Sequence, residues 1–326
     1  MFIDAELKGW LDDRAAQWRT EQAARRFARD WSASSPHRDF DAAMATLGDA
    51  DPMAVAQAAR ALLDDDSWVD ALIGRLADEM RADAYFEAPF RALRSDIHSG
   101  LLIYEDDHLT IAAGVSRLSR LAERKLAGNG KGSIHFSGQI SVLRFLKTGD
   151  AMLAFWECDP IGADFSAATA GKCRPAGDRR IADGETMVVD GRCQSYVIKE
   201  AAANFVVLQA NLKTGQAPVS VEYDAATHGF LGCSAVDEGD CRIQMVATLA
   251  RTLGHEEAFE AIAAFTGHPS FFVRWHAMKE LLGIDVRAAM PLLKLMAARD
   301  SHPDARAAAR QVLDRIERPA SQRKAA

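Results

Sequence analysis

The sequence predicts an α+β fold: an antiparallel β-barrel or sandwich flanked by N-terminal helices and a C-terminal helical array. Three observations predict it. Up to about residue 95, Ala, Leu, Arg, Asp and Glu dominate and β-branched residues are few, a composition that favours helix. From about His98 to about Ala235, short runs of alternating apolar residues are separated by glycine turns, as in strands. After about Asp240 helical texture returns, and it repeats. These shifts divide the chain into a helical region 1–95, a β domain 96–236, a helical array 237–318 and a short disordered tail 319–326.

In the first region Val69, Leu72, Ile73, Leu76 and Met80 recur at helical spacing. Asp51-Pro52 and Ser67 are helix-start signals, because proline fits a first turn and serine caps well. Segments 53–63 and 67–82 therefore read as a helix pair, and Ser34 to Pro36 as a break between earlier helices. The run Asp64-Asp65-Asp66 complements the dipole of the helix that follows. Arg14 to Arg29 is the densest basic stretch and reads as the solvated face of an amphipathic helix.

The middle region holds seven to nine strands in about 140 residues, with almost no helix-length pattern between them, so an antiparallel arrangement is expected rather than a parallel α/β sheet. Thr148-Gly149-Asp150 reads as a hairpin turn between two strong strands, and Asp106-Asp107 as another turn. Leu118 to Leu126 suits a short helix. Ala127 to Gly132 is a glycine-rich loop, and Pro160 to Gly177 a Gly/Ala-rich loop able to cover an opening.

In the last region Arg242-x-x-Met245-x-x-x-Leu249, Arg274-x-x-Ala277-x-x-x-Leu281 and Arg306-x-x-Ala309-x-x-x-Leu313 share one template in steps of 32 residues. Second helices fall at about Glu256–Phe265 and Val286–Ala298, and His268-Pro269 and His302-Pro303 introduce the second and third units. A single helix pair cannot bury its own apolar face, so such units stack, with leucine in the seam.

HPSFFVRWHAMKELL and, in degenerate form, HPDARAAARQVL resemble HEAT repeats: a proline near the helix start, then Val-Arg, a small residue and a leucine. The resemblance covers about 80 residues and implies a surface for a protein partner. The middle region resembles a cupin. Gly184 to Tyr196 follows the rhythm of that family's second motif, with Asp190 where proline is usual and Gln194 near the histidine position. Ser133-Ile-His135-Phe-Ser137-Gly-Gln139 stands for the first motif, keeping one histidine, with Ser137 near the place of the second. A cupin metal site needs about three imidazoles and often a carboxylate. The departures therefore imply a cupin-like domain without metal or other cofactor, to which the family's usual chemistry is not carried over.

Bulk properties narrow the function classes further. Net charge is −7, which weighs against nucleic acid, whose phosphates need clustered Lys and Arg. No apolar run is long enough for a membrane span and the start lacks a secretory pattern, so a cytoplasmic location is expected. Cys158, Cys173, Cys193, Cys233 and Cys241 are odd in number and irregularly spaced, which suits reduced thiols. No Walker loop, nucleophile elbow, His-Glu-x-x-His helix or dinucleotide fingerprint occurs.

Candidate residues follow from strand parity. His135, Ser137 and Gln139 share one face of a strand, as do Gln194 and Tyr196. His135, Gln139, Gln194 and Tyr196 are therefore the ligand-binding candidates for a small polar molecule, with Arg144 a further polar strand residue. His98 and His108 flank a strand and offer an alternative three-histidine site with His135. On the array Arg274, Trp275 and His276 are the partner-binding candidates, since Trp and Arg are enriched in binding hot spots. The expected function is a non-enzymatic binding or adaptor protein that senses a small polar ligand and presents a repeat surface to a protein. The alternative is a divergent cupin enzyme with His135 as acid/base or metal ligand.

Overall fold

The computed structural model describes residues 5–48, 50–95, 98–118 and 132–317. The expected helix at 118–126 and the glycine-rich loop at 127–132 lie outside the described residues but for Leu118 and Gly132, and so does the tail. No helix among the described residues is long and apolar enough to cross a membrane.

Five helices open the chain: α1 (Ala5–Asp12), α2 (Arg14–Ser32), α3 (Ser35–Ala45), α4 (Pro52–Asp64) and α5 (Ser67–Ala82). Asp13, Ser34 and Asp51 cap the second to fourth by accepting from first-turn amides. α5 starts after Asp66 rather than after a Ser67 cap. Its inner stripe is Val69, Leu72 and Leu76, while Ile73 and Met80 face solvent.

Twelve strands follow among the described residues, all paired antiparallel. They are β1 (Arg91–Arg94), β2 (His98–Glu105), β3 (Leu109–Ser116), β4 (Ser133–Phe136), β5 (Ile140–Lys147) and β6 (Met152–Glu157), then β7 (Arg174–Arg180), β8 (Thr186–Asp190), β9 (Gln194–Glu200), β10 (Phe205–Leu212), β11 (Val219–Asp224) and β12 (Phe230–Ala235). Several expected long strands are split, so the number exceeds seven to nine. The sheets run β1-β2-β3-β10-β5-β8, β12-β11-β4 and β7-β6-β9.

Alternation gives each sheet two different neighbours. On one face of the large sheet Ile140, Val142, Leu208, Ala210 and Leu212 join Phe27, Phe40, Leu63 and the other inner residues of the helices in one core. On its other face Leu143, Phe145, Phe205 and Val207 pack toward Leu153 of β6. In the β12-β11-β4 sheet Ile134, Phe136, Val219, Val221 and Tyr223 are buried outward, beneath Ile161, Phe165 and Ala170. The Gly/Ala-rich loop thus covers the outside of this sheet, not an opening, and its end is already β7.

The turn at Thr148-Gly149-Asp150 departs from expectation. Gly149 and Asp150 do take positive φ, 57° and 60°, as a tight turn requires. Yet β5 and β6 belong to different sheets, so the turn carries the chain from one wall of the barrel to the other instead of closing a hairpin. Local turn chemistry is blind to that choice, which pairing with β10 and β9 decides. Asp106, by contrast, does form the β2–β3 turn, accepting from the amides of His108 and Leu109 at 2.9 and 2.8 Å.

The array comprises α6 (Glu238–Thr252), α7 (Phe259–Ala264), α8 (Phe271–Ile284), α9 (Val286–Arg299) and α10 (Pro303–Glu317). The second helix of the first unit is a short α segment between two 3-10 turns. Ala277, Leu281 and Ala309 of the shared template are buried, whereas Met245 and Leu249 are 64% and 53% exposed. The first unit ends the stack, so its template leucine fills no seam. The array is fixed to the barrel at the 160–177 loop. His302 Nε2 donates to the Phe165 carbonyl at 2.9 Å, Asp304 accepts from the Ala167 amide at 2.8 Å, and Phe271 stacks on His302.

Candidate functional site

The inward faces of the β domain enclose a cavity of about 710 Å³. Parity puts its residues there. Ile134 and Phe136 are buried on the outer side of β4, so His135 between them points inward, with Ser133 and Ser137 in step. On β5 the outward Ile140 and Val142 leave Ser141 and Leu143 inside; on β10 Leu208, Ala210 and Leu212 leave Gln209 and Asn211 inside.

All four ligand candidates line this cavity: His135, Gln139, Gln194 and Tyr196. Gln194 Oε1 accepts from the Asp190 amide at 3.2 Å, and Ser195 Oγ donates to the His135 carbonyl at 2.5 Å, joining β9 to β4. Deeper in, Ser141 Oγ and Gln209 Nε2 both donate to Asn211 Oδ1 at 2.8 Å. Leu143, Val189, Ile198 and Phe205 give the cavity an apolar side.

Electrostatics separate the titratable groups. Desolvation lowers the pKa of His135 below the ordinary histidine value, against an opposing pull from Glu222. Burial also lowers His98, whose Nδ1 lies 2.8 Å from Ser116 Oγ. Both imidazoles are therefore neutral at pH 7. Burial raises the Tyr196 phenol to about 12, so it is neutral as well.

Other candidates are placed elsewhere. His98 reaches the cavity, but His108 sits at the β2–β3 turn, in contact with the Gly48 carbonyl at 2.9 Å, so the three histidines do not converge. Arg144 shares its face with Ile140 and Val142 and points to the helices. There it bonds Asp66 at 2.9 Å, while Thr186 bonds Asp64 at 2.5 Å. The Asp64–Asp66 run thus fastens the helical region to the barrel in addition to starting α5.

The donor set does not fit the metal centre that the cupin resemblance calls up. Around His135 the nearby positions offer a hydroxyl and an amide, Ser137 and Gln194, which are weak neutral ligands for a divalent cation, and one carboxylate, Glu222 on the adjacent strand, so the set falls short of the three imidazoles that the resemblance implies. Among the described residues no three His, Cys, Asp or Glu side chains cluster as metal ligands would.

On the array, Arg274 is not available to a partner. It is 7% exposed, pairs with both Asp300 oxygens at 2.6 and 2.8 Å, and donates to the His268 and Pro269 carbonyls. Arg306 reaches back in the same way to the carbonyls of Asp300 and Ser301. In the second and third units the repeated arginine therefore clamps the loop before its own helix, a role invisible in the template until the loop is seen, whereas Arg242 of the first unit pairs with Glu238 within its helix. Trp275 is half-buried against the Met278–Leu293 cluster, and His276 Nε2 lies 2.8 Å from Thr248 Oγ1.

Sequence reasoning missed Ser141, Gln209, Asn211 and Glu222 as cavity residues. The signal was present: each alternates with apolar neighbours. The same alternation marks a solvated sheet face, and nothing local says which side holds a cavity.

Comparison with known proteins agrees with the array. Residues 235–314 match the family model for HEAT repeats. No curated protein matches the chain. Solved structures to which it is similar include a cupin domain from Bordetella pertussis Tohama I, at 10% identity and a TM-score of 0.23 over 37% of this chain and 99% of that one. A sugar phosphate isomerase of the cupin superfamily from Silicibacter pomeroyi gives 12%, 0.23, 44% and 79% in the same order. Ectoine synthase from P. lautus gives 7%, 0.21, 37% and 67%.

Proposed function

We propose that this protein is a non-catalytic, ligand-responsive binding protein. The β domain holds a small polar organic molecule, and the repeat array meets a protein partner. The observation that carries the first half is the 710 Å³ cavity itself, whose polar groups converge from several strands over an apolar side. Ligand sites commonly have that size and that mixture. The second half rests on the HEAT-repeat match at 235–314, with Trp275 and His276 as the half-buried array residues assigned to the contact.

The test is a thermal-shift screen of small polar organic compounds, followed by calorimetry on each hit. Hits should lose affinity in Gln194→Leu and Gln139→Leu. A hit indifferent to both substitutions binds elsewhere, and a screen without hits sinks the ligand half. For the partner half, affinity capture with the whole chain should return one reproducible protein whose retention falls in Trp275→Ala.

One observation favours a second reading, a divergent enzyme. His135 is a neutral imidazole open to the cavity and paired in register with Glu222, a suitable proton acceptor. Substrate turnover lost in His135→Ala, with binding of the same molecule retained, would decide for it.

A further inference from the structure

Glu222 is the one carboxylate among the described residues that line the cavity, and no Lys or Arg lines it there. It lies on β11 directly across from His135 on β4. Its neighbours Val221 and Tyr223 are buried on the outer side, so strand parity turns the carboxylate inward. Among the described residues that carboxylate, exposed to the cavity and its solvent, makes no hydrogen bond and no ion pair. Several other acidic groups of the domain have a cationic or amide partner, as with Asp190 and Arg192, Asp183 and Lys147, or Asp178 and Lys199; what sets Glu222 apart from Glu157 and Glu200, which make no such bond among the described residues either, is that it faces the cavity.

The obvious counter-ion would be His135, but desolvation keeps that imidazole neutral at pH 7. Among the described lining residues the cavity therefore presents one carboxylate with no Lys or Arg beside it, next to hydroxyl and amide groups. A carboxylate or phosphate ligand would meet repulsion with no cation among the described lining residues to receive it. An ammonium group would find a charge-assisted acceptor, and Tyr196 on β9, beyond β4, gives the same cavity an aromatic wall, which also attracts cations.

We propose that the cavity selects small organic cations: an ammonium group is held by Glu222, and a hydrocarbon body lies against Leu143, Ile198 and Phe205. This rests on the reading that the cavity is a ligand site.

The experiment measures Kd by ligand-observed NMR for three probes with one shape, cyclohexylammonium, cyclohexanol and cyclohexanecarboxylate. The whole chain and the variants Glu222→Gln and Gln194→Trp are compared. In the wild type the ammonium binds about tenfold more tightly than the alcohol, as one charge-assisted hydrogen bond allows, and the carboxylate binds most weakly. Glu222→Gln brings the ammonium to the affinity of the alcohol and leaves the alcohol unchanged, which also shows that the variant is folded. Gln194→Trp fills the cavity and weakens all three. Equal binding of ammonium and alcohol in the wild type, or an ammonium preference that survives Glu222→Gln, overturns the charge assignment and leaves the ligand site standing. If none of the probes binds, or binding is indifferent to Gln194→Trp, the ligand site itself falls.

Discussion

The array and the β domain both place polar groups among apolar ones, and they treat them in opposite ways. In the array the groups close on one another. Arg274 meets Asp300, Ser301 and two carbonyls; Thr248, His276, Glu280 and Arg251 form a second chain of contacts; Ser270 bonds Asp240. In the β domain His135, Gln194 and Glu222 open onto a cavity. Polar groups buried without partners are costly, so closed networks are explained by the fold alone. Open ones that face a cavity are available for another molecule. The difference separates structural polar residues from candidate binding residues more cleanly than residue type does.

The largest effect is expected where the closed network is broken. Arg274→Ala leaves the Asp300 carboxylate, 3% exposed in its side chain, without its cation. Removing one partner of such a buried pair costs about 3–5 kcal/mol. Urea unfolding of the whole chain measures it, and a loss below about 1 kcal/mol would put the pair in the same class as a surface bridge. The double variant Arg274→Met, Asp300→Leu should recover most of the loss, because both charges are then gone.

The same pair sets a pH dependence. Burial pushes the Asp300 carboxyl up, but hydrogen bonds from Arg274 and the His302 amide outweigh it and hold its pKa below the usual value. A carboxylate with a lowered folded pKa contributes stability above its unfolded pKa of about 3.9 and loses it as pH falls through the folded value. Thermal unfolding between about pH 5 and pH 2 should therefore fall less steeply in Asp300→Asn than in the wild type. Parallel acid limbs would remove Asp300 from the account.

On the open side, effects on stability should be small. Gln209→Leu removes a hydrogen bond to Asn211 that cavity water can replace, so a change of at most about 1 kcal/mol is expected. Any ligand found by the screen should lose affinity in the same variant. A loss of stability as large as that of Arg274→Ala would mean that the cavity network is structural too.

This contrast also marks how far the sequence could be read. The three regions, the antiparallel β domain and the 32-residue array were legible because each rests on local periodicity. So were His135, Gln194 and Tyr196 as residues on strand faces, since parity is a local property; β4 ends at Phe136, so Gln139 meets the cavity from the β4–β5 turn and not, as expected, from the strand face of His135. What parity leaves open is which face meets the cavity. Arg144 and Ser141 are three residues apart on one strand, yet one docks a helix and the other lines the interior. Asp300, the partner that turns Arg274 from a surface candidate into a clamp, lies 26 residues away across a helix–helix contact. The cross-over of β5 to β6 between sheets has the same origin, because pairing is decided by strands distant in sequence.

The smallest effect tests the array's own asymmetry. Leu249 and Leu281 occupy the same template position, yet Leu249 is 53% exposed and Leu281 fully buried. Sequence identity of position predicts equal costs on truncation; burial does not. Leu281→Ala should cost about 2–5 kcal/mol, through lost transfer energy and the cavity left behind. Leu249→Ala should change stability by no more than about 0.5 kcal/mol, as surface substitutions do. Denaturant midpoints at an unchanged slope read both values directly. Equal losses would mean that α6 is covered in solution and that the first repeat is not the end of the stack. A near-zero value for Leu249 puts it on the outer face of α6, while Ala247 of the same helix still packs into the seam with Leu281 and Ala289.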